Sequence, residues 1–200
     1  MKVALVTGNL GKAREAALLL SGSGIDVERI DPLLAAPPEI QGEVGAIAVD
    51  KLEKAISRAA DADLVVVEDS ALEMDALGGM PGPYIKDFFA AMGCEGLARI
   101  SRDAGDGLRG ATDVCVLACA PPSKPSDVLL FVGKTVGSIV EPAGKEPQGF
   151  GWDPVFAPDG GDGKTYAEMS QERKNELSAR SKAYVLLTRG IGDGSWLPKS

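Results

Sequence analysis

Histidine is absent from all 200 residues. Imidazole zinc sites, Ser/His/Asp triads and histidine general bases are therefore excluded. Any chemistry falls to carboxylates, lysines, arginines, backbone amides or a bound metal. Cysteine is scarce: Cys94, Cys115 and Cys119 are odd in number, lack CxxC spacing and lie in apolar surroundings. That pattern points to reduced core thiols in a cytoplasmic protein rather than a disulfide framework. Long apolar runs are missing as well. The longest, Val114 to Ala120, has seven residues, far short of the ~18–20 of a membrane span. The first apolar stretch ends at Val6, too early for a secretory signal. Nor is there a basic excess. With 21 Lys and Arg against 29 Asp and Glu, the net charge is −8, which argues against a general nucleic-acid or anionic-membrane binder.

What is present is a globular balance, 44% hydrophobic and 25% charged, long enough to bury a core without staples. The 25 glycines and 13 prolines predict many ordered loops. Apolar β-formers alternate with helical stretches, as in an α/β fold. Lys2–Thr7 reads as a strand, Lys12–Leu20 as a helix and Ile25–Ile30 as a second strand, followed by a Pro-rich loop through Gly42. Val44, Ile47, Ala48, Leu52, Ala55, Ile56 and Ala59 recur at helical spacing over 44–60. Leu64–Val67 reads as a buried strand ending at Glu68-Asp69-Ser70, and 84–104 as a helix. The second half is more antiparallel, with strands over Ala111–Ala120, Val128–Val132 and Ser138–Val140. A loop-rich stretch, 141–165, precedes a last helix near Ser178–Leu187. The reading is one α/β domain over 1–200 with a more antiparallel second lobe.

Five places carry candidate chemistry. Thr7-Gly8-Asn9-Leu10-Gly11-Lys12 joins a strand, a glycine turn and a helix opening at a lysine. Amides and the positive end of the helix dipole would face an anion there, with Lys12 adding a full charge. It is not a P-loop, because the glycine spacing differs and Ala13 follows the lysine. The plainer reading is a simple strand–helix connection. Glu68 and Asp69 follow a strand at the end where α/β sheets bind ligands, and could hold Mg²⁺ or orient water, or else form a solvated turn. Glu39 and Glu43 offer further hard-oxygen ligands. Lys51 lies about 340° round the helix from Val44, inside the apolar stripe, so it must snorkel or meet an anion. Gly149-Phe150-Gly151-Trp152-Asp153-Pro154 sets aromatics and an acid in a flexible loop, suited to stacking on a base or to plugging a core. Finally, Lys174 and Arg180 flank Ser178, a plausible N-cap, and could meet an anion or water.

Together these segments resemble one family, the inosine triphosphate pyrophosphatases or HAM1-like nucleotide pyrophosphatases. The likeness rests on four ordered blocks spread over most of the chain: TGNLGK (7–12), VVEDSALEMDALGGMPGPYIKDF (66–88), GFGWDPVF (149–156) and TYAEMSQERKNELSAR (165–180). The resemblance implies an elongated, two-lobed α/β single domain, with a mixed central sheet flanked by helices and a nucleotide cleft between lobes, forming a homodimer. It also implies cleavage of ITP, dITP and XTP between the α- and β-phosphates, with Mg²⁺ required and Mn²⁺ as a substitute. Carried onto this chain, Thr7, Gly8, Asn9, Leu10, Gly11 and Lys12 would cradle the triphosphate, with Lys51, Ser70 and Lys86 along it. Glu39 or Glu43 and Asp69 would hold the metal, and Glu68 or Asp69 would orient the attacking water. Phe150, Gly151, Trp152 and Asp153 would line the base pocket, and Lys174 and Arg180 would contact the base's oxo edge. A 6-oxo purine offers an acceptor where adenine offers a donor, so a fixed donor at that edge discriminates between them.

One position departs from the family pattern. Ser178-Ala179-Arg180 stands where the family has Ser-His-Arg, with no histidine elsewhere to replace it. The substitution predicts weaker base discrimination or slower turnover. It also motivates an alternative, a nucleotide sensor that has lost catalysis, which would bind ITP without releasing pyrophosphate. A pyrophosphatase for modified pyrimidines is a second alternative, separable by substrate profile.

Overall fold

The computed structural model describes residues 1–32, 39–143 and 151–192. Among the described residues seven strands, β1 (Lys2–Val6), β2 (Asp26–Ile30), β3 (Leu64–Met74), β4 (Pro81–Gly82), β5 (Gly110–Ala120), β6 (Leu129–Ile139) and β7 (Phe156–Pro158), form one mixed open sheet flanked by helices, in the order β2-β1-β3-β5-β6-β7 with β4 paired to β3. Strands β1 and β2 are joined by α1 (Leu10–Leu20), and α2 (Val44–Ala55) leads into β3. Both β2 and β3 run parallel to β1, as strands joined through a crossover helix do. The second half adds β4, α3 (Ile85–Ala104), β5, β6, β7, α4 (Gln171–Leu177) and α5 (Ala179–Gly192).

The chain divides into two compact units. The first comprises Met1–Asp69, Cys115–Val132 and Ala183–Ser200; the second comprises Ser70–Val114 and Gly133–Lys182. In the first, Val3–Val6 and Leu64–Val67 are buried, and Ile47, Ala48 and Leu52 of the α2 stripe are buried with them. In the second, Leu72, Met74, Ile85, Leu97, Ile139, Val155, Phe156 and Tyr166 form the core. Cys94, Cys115 and Cys119 are free thiols, and burial pushes the Cys119 thiol up to about 12. No helix among the described residues is long and apolar enough to cross a membrane.

The element boundaries correct the sequence reading in four places. β3 does not stop at Glu68 but runs eleven residues to Met74. Its partner β1 ends first, at the Val6↔Val67 pair, and Leu72 and Glu73 pair instead with β4. The two pieces expected at Val128–Val132 and Ser138–Val140 are one strand, β6. Its Gly137 is no turn residue: an added Cβ would lie 2.4 Å from the Ala157 carbonyl, so glycine permits the close pairing with β7. The loop-rich stretch holds β7 itself. The last helix is α5, where it was expected, but a further helix, α4, precedes it and is divided from it at Ser178. Ser178 does cap α5, its Oγ accepting the Ser181 amide at 3.2 Å. Helix α3 bends at Gly93, whose φ of 62° is the left-handed conformation glycine adopts without steric cost.

Candidate active site

The turn after β1 builds the first group of residues. Thr7 Oγ1 accepts the Asn9 amide at 3.1 Å, and Asn9 Oδ1 accepts the Lys12 amide at 3.1 Å. Asn9 is thus the N-cap, and α1 opens at Leu10 rather than at Lys12. The Leu10 and Gly11 amides therefore lie in the first turn, at the positive end of the helix. Lys12 reaches from this turn to β3, its Nζ 3.2 Å from Glu68 Oε1. The Glu68 side chain is 0% exposed, so the carboxylate is held in a site where a charge needs a partner.

Lys51 resolves as the sequence geometry required, by meeting anions. Its Nζ lies 2.6 Å from Asp69 Oδ1 and 3.1 Å from Glu39 Oε1, with a quarter of the side chain exposed. Burial disfavours the ammonium, and the two carboxylates more than offset that, raising its pKa. Asp69 is raised as well: burial is the largest influence, Lys51 and Lys12 pull it back, and Glu39 adds to the rise. One ammonium divided between two carboxylates leaves Asp69 short of positive charge. Its Oδ2 is buried with no hydrogen-bond partner.

That orphaned oxygen is the test of whether a metal fits. Among the described residues no group of three or more acidic, cysteine or histidine ligands makes a ready-made cage. Mg²⁺ needs none, being held by one or two carboxylates plus substrate phosphates. Asp69 Oδ2, with Glu39 sharing the same lysine, is a hard-oxygen set of that kind. Glu43 is exposed at the start of α2 and makes no side-chain capping bond.

The second group belongs to the second unit. Lys174 donates to Asp153 Oδ2 at 2.7 Å, and both side chains are under 10% exposed. The Lys174 ammonium also sits 5.5 Å from the centre of the Tyr166 ring, within cation–π range. Trp152 is half-buried against the core of this unit. Gly151, at φ 62°, has its carbonyl 3.8 Å from Cys94 Sγ. Ala179 is fully buried. Lys86 lies exposed in the first turn of α3, and Ser70 is half-buried on β3. Phe150 lies outside the described residues.

Sequence reasoning missed Asp113. It stands on β5 in a largely apolar strand and is buried, which raises its carboxyl to about 6, while Arg180, Tyr166 and the Ala179 amide pull the other way. The Tyr166 hydroxyl donates to it at 3.2 Å. A signal existed: one acid interrupting an otherwise apolar strand must have partners inside the fold.

A model of the Ham1 family matches residues 3–189. The chain belongs to the Ham1 family. An inosine triphosphate pyrophosphatase of Emericella nidulans is 42% identical over 190 residues, covering 94% of this chain and 95% of the relative. Inosine triphosphate pyrophosphatase 2 of Trypanosoma cruzi is 45% identical, covering 93% and 90%. Among solved structures, a HAM1 protein of Coxiella burnetii superposes with a TM-score of 0.78 at 25% identity, covering 96% and 99%. A nucleoside-triphosphatase described as a dITP/XTP pyrophosphatase, from Mycobacterium abscessus, does so at 0.64 and 30% identity, covering 99% and 98%. The Ham1 assignment thus spans all four sequence blocks and both groups of residues.

Proposed function

We propose that this Ham1 protein, a single functional domain over 1–200, is a nucleoside triphosphate pyrophosphatase that hydrolyses deaminated purine nucleotides. ITP, dITP and XTP are cut between the α- and β-phosphates, giving the monophosphate and pyrophosphate. The observation that carries the reading is Asp69, a buried carboxylate with an unpartnered oxygen beside Lys51 and Glu39. In this reading Asp69 and Glu39 hold Mg²⁺, for which Mn²⁺ can substitute. When bound, the metal draws charge from the phosphate oxygens. Glu68 and Asp69 orient the water, and Lys12 and Lys51 exchange their carboxylate partners for phosphate oxygens. Thr7, Gly8, Asn9, Leu10 and Gly11 cradle the chain of phosphates, with Ser70 and Lys86 along it. Phe150, Gly151, Trp152 and Asp153 line the base pocket, Lys174 and Arg180 face the base's oxo edge, and Ala179 belongs to the same binding segment. Relatives named inosine triphosphate pyrophosphatase support the ITP assignment, and the mycobacterial structure's description supports dITP and XTP.

The reading extends to a cytoplasmic homodimer that takes free nucleotides rather than nucleic acid, in keeping with the −8 net charge and the free thiols. The deciding assay is pyrophosphate release from ITP, XTP, dITP, GTP and ATP, with and without Mg²⁺. Fast, metal-dependent release from the first three is expected. Silence with all five, while ITP still raises the melting temperature, would make the chain a binder instead.

A further inference from the structure

Asp113 is a buried polar node in the second unit, and no role assigned above uses it. Its carboxylate takes the Tyr166 hydroxyl at 3.2 Å and the Ala179 backbone amide, under the charge of Arg180. Tyr166 in turn bonds Thr135. The Thr135 hydroxyl donates to the Leu177 carbonyl at 2.6 Å and accepts from Lys182 Nζ at 2.8 Å. Leu177 ends α4 and Ala179 begins α5. One acid on β5 thus ties down both sides of the α4–α5 junction, the segment that carries Lys174, Ala179 and Arg180.

A buried carboxylate is costly unless its partners repay desolvation. An apolar residue in β5 would fill the same space without that cost, so what Asp113 supplies is geometry: two fixed acceptor positions and a counter-charge for Arg180. We propose that Asp113 is a positioning residue for base recognition: by taking the Ala179 amide it anchors the start of α5, and by its charge it holds the Arg180 side chain where that side chain meets the oxo edge of a 6-oxopurine. The inference rests on the pyrophosphatase reading and deepens it, naming what orients the donors that favour inosine over adenine.

The charged and titratable groups around Asp113 are Arg180 on α5, Tyr166 and Asp153, with Lys174 over the Tyr166 ring and Lys182 at Thr135. Of these, Asp113 is the group raised to about 6. Its protonation removes the counter-charge from Arg180, so KM for ITP should rise as pH falls through that value.

The test is Asp113→Asn, compared with wild type on ITP and ATP from pH 5 to 8. Asn keeps the volume but has one acceptor oxygen and no charge. The ITP:ATP ratio of kcat/KM should fall about tenfold, the scale of one oriented hydrogen bond, mostly through KM for ITP. The acid limb near pH 6 should vanish from the variant, while titration of the nucleotide's phosphates is common to both proteins. Tyr166→Phe serves as the second variant should Asn disturb folding. It removes one donor that lowers the Asp113 pKa, so the limb should persist and move to higher pH. An unchanged ITP:ATP ratio and an unchanged limb in a folded variant would overturn the positioning role. Wild-type protein that itself prefers neither ITP nor any other deaminated purine would overturn the pyrophosphatase reading, and this inference with it.

Discussion

The two groups of charged residues differ in how tightly they are closed. In the first unit Lys51 sits between Asp69 and a Glu39 that is 46% exposed, and Lys12 approaches Glu68 from a helix turn. In the second, the Asp153–Lys174 pair lies under an aromatic ring with 8% and 7% of the side chains exposed. An open, divided pair can release a lysine to an incoming phosphate. A sealed pair cannot exchange partners cheaply, but it fixes a shape. Under the proposed function, similar ion pairs would serve opposite ends: the first storing charge for chemistry, the second holding a recognition surface still.

Substitutions can break this contrast, and the largest effect should come from the open group. Asp69→Asn keeps the shape but removes the charge that a metal and Lys51 meet. It should lower kcat/KM for ITP by about 10³-fold while leaving circular dichroism and melting temperature close to wild type. Lys174→Met attacks the sealed pair and should do the reverse of Lys51→Met. Stranding buried Asp153 costs about 3–5 kcal/mol of stability, read by denaturant unfolding, whereas Lys51→Met should mainly reduce turnover. Equal stability losses for the two lysines would break the comparison.

A third, smaller effect is pH-dependent. Asp113 is raised to about 6 from an ordinary 3.8. A carboxyl raised on folding gives stability that is full below the unfolded value and lost as pH climbs through the folded one. The stability difference between wild type and Asp113→Asn should therefore shift against wild type between pH 4 and 7, by up to about 3 kcal/mol. Chemical denaturation across that range measures it, and a flat difference would show that Asp113 stays ionised. The smallest effect concerns Ala179. Replacing it with His should raise ITP turnover or ITP:GTP selectivity by up to about tenfold. No change in either would mean that the recognition surface is complete without an imidazole.

The periodicity of Val44 to Ala59 gave the helix, and the place of Lys51 on that stripe showed that its ammonium had to snorkel or meet an anion. The partner became visible only with β3, because long-range pairing is not written in local spacing. Glu68-Asp69-Ser70 misled as the end of a strand: polar residues usually end a buried strand, whereas here lysines from α1 and α2 compensate their burial. The pieces read at Val128–Val132 and Ser138–Val140 are one strand, in which Gly137 serves a close strand approach rather than a turn. β7, three residues long, is too short for any period to register. Asp113 was legible in principle as an acid within Ala111–Ala120, but its partners come from residues 166–180 and required the fold.

The division of the chain into interleaved segments carries a consequence for its descent. The first unit is assembled from three stretches and the second from two, with junctions after Asp69, Val114, Val132 and Lys182. No single recombination event can exchange one unit for a cousin's. A change in either unit must instead arise residue by residue, under selection that acts on both together.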